Sequence, residues 1–148
     1  MAITSAICNS FKQEILEAEH NFTASTGDTF NLALYDSDAT LNKSTTVYTT
    51  SEELATTGGY TAKGNALTSV TPVLDSDTAV CDFSNESWTS ASFTARGLLL
   101  YNTTAITGFT TNRSILAINF GGDKTVTSGT FTVEFPAAGA STAIIQLA

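Results

Sequence analysis

Charge is scarce in this chain: Lys, Arg, Asp and Glu supply 20 of 148 residues, only 6 of them basic, and the formal net charge is −8. Binding to nucleic acid or to an anionic membrane needs a basic surface, so neither is an expected partner. Histidine occurs once, at His20, so any Ser-His or Cys-His catalytic pair would have to use it. The two cysteines, Cys8 and Cys81, form no CxxC pair or ligand cluster, and they read as small buried hydrophobes with a mutual bridge left open. No apolar run approaches the roughly 20 residues of a spanning helix. The opening residues lack a basic stretch before a continuous apolar core, so a soluble chain without a classical export signal is expected.

Hydroxyls fill the place of the missing charges. Threonine occurs 27 times and serine 15 times, and β-branched threonine favours strands over helices. A length of 148 residues predicts one domain, 1–148, able to bury roughly 70% of its unfolded surface without a disulfide or a metal. Of the 14 acids, 12 lie before residue 91, which concentrates the negative field on the first part of the chain.

Residues 1–21 differ from the rest. Ile3, Ile7, Phe11 and Ile15 recur every fourth position while Lys12, Gln13, Glu14, Glu17 and Glu19 occupy the other face, so one amphipathic helix is predicted over 5–19. Thr4 or Ser5 could cap its start, Asn21 marks its stop, and His20 reads as a surface or C-terminal residue. A lone amphipathic helix is not stable in water, so its apolar stripe must meet a sheet or a neighbouring subunit. From residue 22 the helical period gives way to alternation bounded by turn residues. Strands are predicted at 29–35, 45–50, 66–70, 79–83, 93–101, 114–120, 129–135 and 143–147. Turns are read at Gly58-Gly59, Asp75-Ser76-Asp77, Gly108, Gly121-Gly122-Asp123 and 136–139. The fold class is therefore mainly β: a sandwich or barrel-like domain of seven to eight antiparallel strands carrying one N-terminal amphipathic helix.

No motif that would carry chemistry is complete in this sequence. There is no GxSxG elbow for His20 to serve, and Cys8 lies too far along the expected helix to pair with it. Asp36-Ser37-Asp38 and Asp75-Ser76-Asp77 begin like calcium loops, but Ala79 and Val80 stand where the second needs an oxygen ligand and a glycine. Both are read as turn aspartates. Gly121-Gly122-Asp123-Lys124-Thr125 lacks the glycine a phosphate loop places before its lysine, and it reads as a hairpin turn. Trp88 and Tyr101 read as core or interface aromatics before a sugar platform. No catalytic, cofactor or metal residue is assigned, and no enzymatic activity is expected.

The order of segments carries more. Met1-Ala2-Ile3-Thr4-Ser5-Ala6-Ile7-Cys8-Asn9-Ser10-Phe11-Lys12-Gln13-Glu14 resembles the start of a family of small virion structural proteins of tailed bacteriophages, notably marine and cyanobacterial ones. The likeness continues through Phe30-Asn31-Leu32-Ala33-Leu34-Tyr35, Gly58-Gly59-Tyr60-Thr61-Ala62 and Phe93-Thr94-Ala95-Arg96-Gly97-Leu98-Leu99-Leu100-Tyr101-Asn102. It ends on Phe120-Gly121-Gly122-Asp123-Lys124-Thr125, Gly129-Thr130-Phe131-Thr132-Val133-Glu134-Phe135-Pro136 and Ala143-Ile144-Ile145, with extra residues around 106–110. The resemblance implies a virion protein assembled in the bacterial cytoplasm, most simply a capsid decoration protein clamping the shell of major capsid protein. A tail or fibre part that connects components or meets a receptor is the alternative. Ile3, Ile7, Phe11 and Ile15 are then the candidate partner-binding residues, and a homo-oligomer, dimer or trimer, is expected.

Overall fold

Alternating or β-branched residues bounded by turn residues form most of the strands. The computed structural model describes residues 2–148; Met1, which begins the 1–21 segment, lies outside them. The chain is mainly β, 46% strand and 5% helix. It runs β1 (Ala6–Ile7), α1 (Asn9–Leu16), β2 (Phe30–Tyr35), β3 (Asn65–Ala66), β4 (Ser69–Asp75), β5 (Thr78–Phe83), β6 (Glu86–Asn102), β7 (Arg113–Val133) and β8 (Ile145–Leu147). One antiparallel sheet has the order β1-β7-β6-β2-β3 and the other β4-β5-β8. No helix among the described residues is long and apolar enough to cross a membrane.

The central strands of the larger sheet are covered on both faces. Phe30, Leu32, Leu34, Leu98 and Leu100 point to one side, where Phe11, Phe22, Cys81, Phe83 and Ile145 pack on them. Ala33, Tyr35, Leu99 and Tyr101 point to the other, under Ile3, Ala39 and Leu41. This two-sided burial explains the unbroken apolar run Leu98-Leu99-Leu100-Tyr101, which an alternating, half-exposed strand would not tolerate. A register shift beside Leu100 places Ile115 and Leu116 consecutively on the first side.

Several expectations need correction. The helix is shorter than 5–19 because its first turn is taken by the sheet: Ala6 pairs with Ala117, Ile7 with Leu116, and Cys8 N–H donates to Ile115 O at 2.8 Å. Cys8 thus occupies the helix N-cap position, without a side-chain cap bond. Ser5 Oγ accepts from Asn119 N–H instead of capping. The helix ends at Leu16, and Ala18 turns the chain with φ 59°, so the stop comes before Asn21. Residues 45–50 form no strand; they cross the start of β7 through one bridge, Val47 to Arg113, with Tyr48 stacked on Tyr101 at 4.7 Å. The strand expected at 66–70 divides into β3 and a longer β4, which turns at Ser76 (φ 55°) into β5.

The largest correction concerns Gly121-Gly122-Asp123, which is a bulge in β7 and not a hairpin turn. Pairing runs from Gly97 with Asn119 to Ala95 with Lys124, so Arg96 alone faces Phe120, Gly121, Gly122 and Asp123. Gly121 takes φ 78°, and Arg96 Nε reaches across to Asp123 Oδ1 at 2.7 Å. The strands expected at 114–120 and 129–135 are consequently one, and β6 and β7 form a long ribbon closed by the loop 103–112. Its outer face carries hydroxyl pairs: Ser87 Oγ with Thr132 Oγ1 and Thr94 Oγ1 with Thr125 Oγ1, both at 2.8 Å.

Candidate functional site

Polar chemistry gathers where α1 and the segment after it fold over the end of the β6–β7 ribbon. Leu16 and Ala18 end the helix so that Glu19 and His20 turn inward, and both are buried. His20 is therefore not the surface or C-terminal residue the helix pattern implies: its side chain has 0% exposure. Its ring lies between Phe11 and Phe22, with centroids at 5.1 and 6.2 Å. His20 Nε2 meets Glu14 Oε2 at 2.7 Å, and Nδ1 meets Asn102 Nδ2 at 2.9 Å. Asn102 also donates to Asp28 Oδ2 at 2.7 Å, and Asp28 in turn accepts Asn21 N–H at 2.9 Å. Burial holds the imidazole below its ordinary value of 6.5, helped by the Arg113 charge and opposed by Glu14 and Asp28.

Beside this chain of bonds sits a buried ion pair. Arg113 donates from one terminal nitrogen to Glu19 Oε2 at 2.9 Å and from the other to Glu19 O at 3.0 Å, with both side chains 2–3% exposed. Burial and the neighbouring Glu17 push the Glu19 carboxyl up, and Arg113 opposes them. The Phe109 ring from the 103–112 loop lies 5.9 Å from the guanidinium. A cavity of about 210 Å³ opens here, bounded by Ser10, Gln13, Glu17, Phe109 and Thr110 along with the ion pair. His20 is sealed from that cavity by its neighbours, so the cluster ties segments together and offers no accessible imidazole to a substrate.

A second polar centre gathers all four tyrosines. Tyr48 and Tyr60 hydroxyls both donate to the Glu53 carboxylate, the latter at 2.7 Å, while Tyr35 and Tyr101 donate to Thr49 O and Lys63 O. Burial pushes the Tyr101 phenol to about 12 and the other three higher still. These bonds fasten the irregular 36–64 segment onto the sheet.

The remaining candidates are surface features. Asp36, Asp38 and Glu52 bring carboxylate oxygens within 4.8 Å of one another at the surface, and Asp38 N–H bonds Asp36 Oδ1 at 2.9 Å, as turn aspartates do. Asp75 ends β4, and its Oδ2 accepts from Ala140 N–H. Lys124 follows the bulge inside a strand, not the entrance of a helix. Trp88 and Tyr101 are both buried, and Cys8 and Cys81 are buried free thiols whose acidity burial suppresses, to about 11 and about 12.

The residues expected to meet a partner separate in space. Ile3 is buried on the second face of the large sheet, Phe11 on the first, and Ile7 and Ile15 are half-buried against the first. Contact with a neighbour through Ile3 or Phe11 would require the N-terminal segment to leave its own sheet. Exposed apolar side chains lie elsewhere: Val73 and Leu74 on the outer strand β4, Leu147 on the opposite outer strand β8, and Leu16 at the helix end. A groove of about 400 Å³ lined by Leu98, Ile118, Phe120, Phe131 and Val133, with Lys124 at its side, runs along the ribbon. No protein-family model, curated protein or solved structure matches this chain. Burial of His20 and the apolar character of β4 escaped the sequence reading. The one available signal was the pair of phenylalanines, Phe11 and Phe22, on either side of the histidine.

Proposed function

We propose that this chain is a virion structural protein of a tailed bacteriophage, and within that class a capsid decoration protein that binds and stabilises the shell of major capsid protein. One observation carries the reading: most of the segments that resemble the phage family fall on the framework of the fold and not on one local site, with residues 58–62, in the irregular 36–64 segment, as the exception. They include β2, the second half of β6, the β7 bulge, the end of β7 and the entry to β8. Likeness spread over a framework fits a protein whose whole shape is its working part. The apolar side chains displayed on β4, β8 and α1 support contact with other protein surfaces, since such exposure marks association sites. A net charge of −8 keeps such a chain soluble before assembly and steers it to a basic partner surface, not to packaged DNA. Symmetric virion positions are filled by symmetric sets, so the protein acts as a dimer or trimer.

Copy number tests the proposal. Quantitative mass spectrometry of purified particles of the encoding phage should find on the order of hundreds of copies per virion, as a shell-wide lattice of sites requires. A count of about three to a few tens would transfer the protein to the tail or a fibre. Absence from the particle would overturn the virion reading altogether.

A further inference from the structure

The hydrogen bonds around His20 leave no room for a second ring proton, and this has a mechanical consequence independent of any assembly role. Thr104 N–H can only donate, and Asn102 Oδ1 accepts it at 2.9 Å. The Asp28 carboxylate accepts, and Asn102 Nδ2 supplies it at 2.7 Å. The orientation of the Asn102 amide is thereby fixed from two sides, and its other N–H is directed at His20 Nδ1. Nδ1 must then be the bare acceptor and Nε2 the protonated nitrogen that donates to Glu14. A proton arriving from solvent at Nδ1 would set two donors against each other at 2.9 Å. Rotating the amide does not relieve this, because it turns the NH₂ group toward Thr104 N–H and takes a donor away from Asp28.

We propose that the His20–Asn102 bond is a proton-operated latch, which at neutral pH ties the segment after α1 to the end of β6 and to the 103–112 loop and which acid releases. Asn102 is the hub. Its amide holds His20, Asp28 and Thr104 at once, and the adjacent Thr103 and Thr104 bond Thr29 in two directions, N–H to O and N–H to Oγ1, each at 2.8 Å. Loss of the hub frees three stretches of chain together.

The charged groups around the ring set where the latch opens. Glu14 on α1 and Asp28 before β2 favour the imidazolium; burial and Arg113 on β7, paired with Glu19, disfavour it and prevail. A base whose folded value is depressed stabilises the fold fully above its unfolded value of 6.5, and that stability is lost as pH falls through the folded value. The latch is closed at neutral pH and opens on the acid side of 6.5.

Amide exchange read by NMR at pH 7.5 and at stepwise lower pH, corrected for intrinsic rates, tests the latch, with ¹⁵N shifts of the His20 ring followed in the same samples. Above pH 7 the ring should show the neutral tautomer protonated at Nε2. As it converts to imidazolium, protection at Thr104 and Asn21 should fall by about tenfold or more while central β6 amides stay protected. His20→Gln, which keeps one donor and one acceptor but takes up no proton, should abolish the acid response. Ring titration without loss of Thr104 protection, or loss of protection before the ring titrates, would overturn the latch even if the variant failed to fold.

Discussion

The two ends of one ribbon behave as different materials. From Leu98 to Asn102 and from Arg113 to Ala117, β6 and β7 are buried throughout, with side chains packed above and below the sheet. From Glu86 to Ala95 and from Lys124 to Val133, the same strands are covered on one face only. Trp88, Ala91 and Ala95 are buried while Ser87, Thr89, Thr94, Thr125 and Thr132 face out. The ion pairs follow the same division, Arg113–Glu19 sealed at 2–3% exposure and Arg96–Asp123 open at 33% and 49%. The pairing registers differ too. Ser90 and Ser128 take positive φ and the Gly121 bulge interrupts the outer end, whereas the inner end has one shift, beside Leu100. A strand closed on both faces tolerates few irregularities because a slip moves every side chain to the wrong layer. The one-sided end can spend residues on bulges that shape an edge and blunt pairing with other chains.

Substitutions at matched positions of the two ends test this contrast, most strongly where a buried charge loses its partner. Arg113→Leu leaves Glu19 buried without its counter-ion and should lower the melting temperature by roughly 10 °C, whereas Arg96→Leu should change it by about 2 °C or less. Thermal melts at low and high salt check the pair, since only the exposed bridge should respond to screening. Truncation comes next. Leu100→Ala should cost about 2–5 kcal/mol in urea unfolding, and Phe131→Ala, which is half-buried in the ribbon groove, about 1–2 kcal/mol. Equal losses would mean that the ribbon end is as tightly packed as the centre. The smallest contrast lies in the glycines. A Cβ on Gly97 would come within 2.4 Å of Ile118 O and 2.8 Å of Ile3 Cδ1, so Gly97→Ala should cost about 1–3 kcal/mol. A Cβ on Gly122 meets nothing within 4 Å, and Gly122→Ala should stay within about 0.5 kcal/mol of wild type by the same measurement.

Much of the fold could be read from local pattern. Phe30-Asn31-Leu32-Ala33-Leu34-Tyr35 and the stretch through Cys81 to Phe83 become strands because alternating or β-branched residues lie between turn residues, and this information is local. The helix reading failed at its start for a physical reason. A spacing of four places Ile3, Ile7 and Phe11 on one helical stripe, but Ala6 and Ile7 gain backbone partners on the edge of β7, and Ile3 passes to the other face. Gly121-Gly122-Asp123 has the composition of a turn, and only the opposing strand, with Arg96 placed to pair Asp123, makes it a bulge. His20 illustrates the limit most clearly. Phe11 and Phe22 are its only nearby signal of burial, because Asn102 and Arg113, which face its cluster, lie more than eighty positions away.

Local pattern suffices to make this a hydroxyl-rich, acidic, mainly β protein with an amphipathic start. Alternation, β-branching and charge count are properties of neighbouring residues and need no partner from afar. Contacts between distant residues cover both faces of the central strands, run β6 and β7 together as one ribbon, and bury a lone histidine in a polar cluster. Burial and hydrogen-bond pairing depend on residues brought together across the chain, and those contacts bury His20 and Arg113 and take Ala6 and Ile7 into the sheet.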